Sequence, residues 1–93
     1  MKSKYFVKKH CEATEMLCIS TNRIQDYWYG NNPISGFVSK EFEPSVAQCK
    51  LYGLSTLSEA EDIFKSMLPQ VERENDFGQW QVTLEIVEVT YEE

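Results

Sequence analysis

Trp80, Val82, Leu84 and Ile86 alternate with Gln81, Thr83 and Glu85, which is the two-residue period of a strand with one buried face. After Ile86 the phase slips: Val87, Val89 and Tyr91 take the apolar positions, and Glu88, Thr90 and Glu92 the polar ones. Gln79 to Tyr91 is therefore expected to be one strand carrying either a bulge or a second buried face, such as a subunit contact. Asn75-Asp76-Phe77-Gly78 ahead of it is a turn signal.

A three- to four-residue period governs the preceding stretch. Leu57, Ala60, Phe64, Met67 and Leu68 define one helical face, widened by Ile63, with Glu61, Asp62, Lys65 and Ser66 on the other side. Thr56 and Glu59 have capping-box spacing, and Glu59, Glu61 and Asp62 complement the positive end of the helix dipole. Pro69 sets the expected boundary near residue 68, with a further turn over Gln70 to Asn75 beyond a kink as the extension. Leu57, Phe64, Met67, Trp80, Val82, Leu84 and Ile86 are expected to share one core.

The first half is less regular. Lys4 to Lys9 reads as a lysine-flanked strand, Glu15 to Ser20 as a second, and Arg23 to Tyr29 as a third strand or a short helix. Gly30-Asn31-Asn32-Pro33 marks a loop, Gly36-Phe37-Val38 a short extended segment, and Ala47 to Tyr52 another strand before the helix. These elements predict an α+β fold: a small antiparallel sheet of three to five strands with one main helix packed on one face, the last strand central or paired with the first. Residues 1–93 are expected to form a single domain.

Composition narrows the function classes. The hydrophobic fraction is 42%, with twelve aromatic residues, enough for a packed core of this size. No apolar run approaches the ~20 residues of a membrane span, and no signal peptide is expected after Met1-Lys2-Ser3-Lys4. Cys11, Cys18 and Cys49 are an odd set without a paired spacing, so reduced thiols in a cytoplasmic setting are expected. The net charge is −6 and it is lopsided, with a balance of +2 over residues 1–50 and −8 over residues 51–93. That argues against direct nucleic-acid binding and leaves either a solvated face or an acidic half that meets a basic partner.

Catalytic signals are sparse. His10 is the only histidine, and in a strand its side chain and that of Cys11 point to opposite faces. His10, Cys11, Cys18 and Cys49 lack zinc-site spacing, and no phosphate-loop, dinucleotide, nucleophile-elbow or metalloprotease motif is present. No cofactor, no metal and no enzymatic activity are expected.

Asp26 to Phe37 is the most unusual stretch. If it is extended, Tyr27 and Tyr29 share a face and Trp28 takes the other, so one core face cannot hold all three. Tyr and Trp beside a polar loop match the composition of binding hot spots, whereas a satellite cluster beneath their own loop is the plainer alternative. The candidate binding residues are Tyr27, Trp28, Tyr29 and Phe37, joined by Glu85, Glu88, Glu92 and Glu93 of the acidic half.

The order of Lys4-Tyr5-Phe6-Val7, Gly36-Phe37-Val38, the capped segment Lys50 to Glu61 and Glu85-Ile86-Val87-Glu88-Val89 resembles that of short accessory proteins of phages and mobile elements. That group includes inhibitors of host defence such as anti-CRISPR proteins. The resemblance implies a small accessory factor and assigns no site residue; together with the missing catalytic motifs and the acidic balance of residues 51–93 it leads to the expectation of a non-enzymatic protein that binds a host protein, for example in the basic nucleic-acid channel of a CRISPR nuclease. The alternative from a different class is a structural, self-assembling homodimer joined through the last strand or the helix.

Overall fold

A computed structural model describes residues 1–18, 23–31 and 43–92. Five elements follow one another: β1 (Lys2–Ala13), β2 (Ile24–Tyr29), α1 (Val46–Tyr52), α2 (Leu57–Phe77) and β3 (Trp80–Tyr91). The strands form one antiparallel sheet in the order β2-β1-β3, and α2 packs against it, an α+β fold. The last strand pairs with the first as expected, and the first is central.

β1 is longer than the lysine-flanked core of its sequence suggested because it has a partner on each side. Val7 to Glu12 pair with Tyr29 to Ile24, and Lys2 to Ala13 pair with Tyr91 to Trp80. The β1–β3 register is continuous over all twelve positions, so the phase slip at Ile86 is not a bulge. It marks a second buried face, which the chain's own α1 covers. Even-numbered residues of β3 from Trp80 to Ile86 face α2. Val87, Val89 and Tyr91 face the other way and pack with Phe6, Trp28, Cys49 and Tyr52. Phe6 and Val7 are neighbours in β1 and both are fully buried, which requires cover on both faces at that point. Each contributes about 1.5–3 kcal/mol of burial free energy.

Several sequence expectations are corrected. Ala47 to Tyr52 is helical: the Ser45 hydroxyl accepts from the Gln48 N–H, and the Gln48 side chain accepts from the Ser45 N–H, a capping box that starts α1. Glu15 to Leu17 form a turn, closed by the Leu17 N–H on the Thr14 carbonyl, with Ile19 and Ser20 outside the described residues. Gly36-Phe37-Val38 also lies outside them. Of the two readings of Arg23 to Tyr29, strand holds, over Ile24–Tyr29.

The α2 helix passes through Pro69 without ending and runs 21 residues. Pro69 is exposed, and it sits opposite buried Ala60 and Val71 on the helical wheel, so the carbonyl it leaves unbonded turns to water. The far end is anchored by Asn75, whose side chain donates to the Val82 carbonyl at 3.0 Å and accepts from the Val82 N–H at 2.7 Å. Gly78 closes the helix at φ 80°, the left-handed conformation that glycine adopts without strain. The second core cluster, on the α2 face, is Cys11, Val71 and Val82 with Tyr27, Trp80 and Leu84 against it. Leu57, expected in the core, is 47% exposed, and Phe64, Met67 and Ile86 are half-buried.

Candidate functional site

The two tyrosines and the tryptophan of β2 separate as strand alternation requires, and the consequence is a division of roles. Trp28 is 5% exposed, packs edge-on to Phe6 with ring centroids 6.3 Å apart, and has the Lys8 ammonium 5.3 Å from its ring centroid. It belongs to the core beneath α1 and offers no anchor surface to a partner. Tyr27 and Tyr29 lie on the α2 face, half-buried, because α2 sits over β1 and β3 and leaves the β2 side partly uncovered.

That uncovered strip is a cleft of about 170 Å³ lined by Lys9, Cys11, Gln25, Tyr27, Tyr29, Glu74 and Trp80. Its floor is an ion pair absent from the sequence reading: the Lys9 ammonium of β1 donates to Glu74 Oε1 of α2 at 2.7 Å and lies 5.9 Å from the Tyr27 ring centroid. Burial opposes the Lys9 charge, but the hydrogen bond and Coulomb attraction of Glu74 outweigh it and hold the pKa above the ordinary lysine value. Alternation carried the signal, since Lys9 lies between Val7 and Cys11 on the apolar face of β1. Tyr27 donates its hydroxyl to Gln25, and burial raises the Tyr29 phenol.

Burial also pushes the Cys11 thiol up, which keeps it protonated and a poor nucleophile at neutral pH. His10 points away from it on the opposite face. There it contacts Asp26 at 2.5 Å and Glu12 at 3.2 Å, and those bonds raise its pKa against a smaller opposing effect of burial. Cys49 lies in the α1-side core and Cys18 is exposed. Among the described residues no three His, Cys, Asp or Glu converge in a way that could hold a metal ion, and no helix is long and apolar enough to cross a membrane.

The acidic residues of β3 do not form one patch. Glu85 points to the His10 face, exposed and 3.9 Å from the half-buried Lys8, a long pair of little energetic weight. Glu88 points to the α2 face, where its charge raises the pKa of the neighbouring Tyr5 phenol. Glu92 is exposed just past the strand end, and Phe37 and Glu93 lie outside the described residues. The carboxylates missing from the sequence-based candidates are on α2: Glu59, Glu61, Asp62, Glu72 and Asp76 are all exposed, and none pairs with a cation among the described residues. Their helical spacing was legible, but only the position of α2 beside β3 brings Glu61 and Glu72 to the side on which Glu88 lies, as an acidic layer.

A scan of protein-family models, a search of curated proteins and a search of solved structures each found no match for this chain.

Proposed function

We propose that the protein is a non-enzymatic binding module whose acidic α2–β3 layer engages a basic surface of another protein. The observation that carries this is the lack of compensation. Nine carboxylates lie between Leu57 and Glu92 against two cations, and Glu74 and Glu85 alone find a lysine among the described residues. Such a layer makes the potential over one side of the molecule negative and steers a positively charged partner toward it. The Tyr27–Tyr29 strip flanks the layer through Glu74 and adds aromatic surface at its margin.

In the setting implied by resemblance to phage and mobile-element accessory proteins, the partner is a host defence factor with a nucleic-acid channel, where carboxylates would occupy the place of phosphates. The test is capture from a host lysate followed by mass spectrometry, with a Glu61→Lys/Glu72→Lys variant of unchanged circular dichroism as control. A basic protein recovered by the native chain and lost by the variant supports the reading. Equal recovery by both removes it.

A further inference from the structure

The hydrogen-bond parity of the sheet leaves one long edge of β3 open among the described residues. Tyr5 exchanges both backbone bonds with Leu54, and Ala13 donates to the Arg23 carbonyl, so the odd residues of β1 direct their backbone groups toward the β2 side. The even residues of β1 therefore bond to β3, where the register gives them the odd residues from Gln81 to Tyr91. The even residues of β3 must point N–H and C=O away from β1. Val82 confirms it, since both its backbone groups are taken by the Asn75 side chain. Beyond Val82, the outward groups of Leu84, Ile86, Glu88 and Thr90 meet no bonding partner among the described residues.

This edge lacks the usual protection. From Leu84 to Thr90 it has no proline, no lysine and no bulge, and charge comes only from Glu85 and Glu88. One side of α2 overlooks it. Leu57, Glu61, Phe64, Leu68, Glu72 and Asn75 recur at three- and four-residue spacing, and the bond of Asn75 to the outer edge of Val82 fixes which way that ridge looks. Phe64 and Leu68 are half-buried, Leu57 is 47% exposed, and Glu61 and Glu72 are exposed. The result is a strand edge beside an apolar ridge, with carboxylates on both.

We propose that the β3 edge from Leu84 to Thr90 takes an extended basic segment of a partner protein as an added strand, its backbone paired to β3, its side chains on the α2 face setting apolar groups on Phe64 and Leu68 and lysines or arginines toward Glu61, Glu72 and Glu88, and a basic side chain on the other face toward Glu85. The inference rests on the protein-binding reading and narrows it to one edge. Charge selects the occupant. A second copy would set the carboxylates of one β3 against those of the other and double a net charge of −6. A basic strand neutralises the same residues.

The test uses the ¹⁵N-labelled full chain. In the free protein the amides of Leu84, Ile86, Glu88 and Thr90 should exchange with solvent faster than those of Thr83, Glu85, Val87 and Val89. A short synthetic peptide of repeat Lys-Lys-Val-Val, which sets both residue types on each strand face, should slow exchange at the first set, whereas the same repeat with glutamate in place of lysine, or the lysine peptide N-methylated along its pairing edge, should not. Thr90→Pro removes one outward donor without changing charge or a bond to β1, and should weaken the lysine peptide about tenfold. Slow exchange at the four amides in the free chain would mean that the edge is already paired, and overturns the proposal. So does binding of the N-methylated peptide at full strength. A captured partner that is retained by Thr90→Pro but lost by Glu61→Lys/Glu72→Lys removes the edge and leaves the protein-binding reading standing; a partner lost by neither removes both.

Discussion

Cutting the Lys9–Glu74 pair from its two ends should give unequal losses, and cutting both ends together should give a smaller loss than the sum. The Lys9 side chain is 11% exposed and that of Glu74 is 29%. Glu74→Leu leaves an ammonium in the less hydrated position with only the Tyr27 ring nearby, whereas Lys9→Met leaves a carboxylate that water reaches. Removing one partner of a fully buried pair costs about 3–5 kcal/mol. Partial hydration reduces that to about 2–4 kcal/mol for Glu74→Leu and about 1–2 kcal/mol for Lys9→Met. The double variant buries two apolar chains of similar length in the α2–β1 contact and should lie within about 1 kcal/mol of the native protein. For a domain of this size, with a total stability of about 5–14 kcal/mol, the Glu74→Leu loss is plainly measurable. Urea denaturation followed by tryptophan fluorescence and far-ultraviolet circular dichroism gives all four corners of the cycle. Additive losses would refute the reasoning, because they would mean that the two charges do not depend on each other.

Trp28→Ala should cost about 3–5 kcal/mol and shift the denaturation midpoint accordingly, as expected for a core ring packed on Phe6; a folded, equally stable variant would return Trp28 to the surface. Pro69→Ala should raise stability by about 1–3 kcal/mol by restoring a helical N–H on an exposed face, measured by the same denaturation; a loss would mean that the proline ring is packed. Asp26 and Glu12 raise the folded-state pKa of His10 above the unfolded value of about 6.5. Their contribution is full below that pH and is lost as pH rises through the folded value, so the melting temperature should fall as pH rises above the unfolded value and through the higher folded one, and the fall should shrink in His10→Gln. An identical profile in the variant would contradict the pairing.

The long elements were legible because local and tertiary preferences agree in them. Thr56 caps α2 as its spacing indicated, and β3 begins and ends where its alternation does. Expectations failed where one signal hid another. The apolar content of Ala47 to Tyr52 suggests a strand, while Ser45 and Gln48, just outside and inside that run, decide for a helix. Pro69 is a strong local stop, and it was overridden because Val71 and Asn75 are held against β3 while the proline itself faces solvent. At Ile86 the sequence gives two faces but not what covers the second one; that depends on α1, which is distant in the chain. The candidate site divides in the same way. Alternation separated Tyr27 and Tyr29 from Trp28, but which face lay open depended on where α2 rests. The Lys9–Glu74 pair and the β3 edge that is unpaired among the described residues depend on separate elements, so no local period reveals them.

The claim that the acidic α2–β3 layer recognises a basic protein is tested most directly by the association rate of the captured partner as a function of ionic strength. The account predicts a rate that falls steeply between about 50 and 500 mM salt, with a shallower fall for Glu61→Lys/Glu72→Lys. A rate independent of salt, equal for the native chain and the variant, would contradict it.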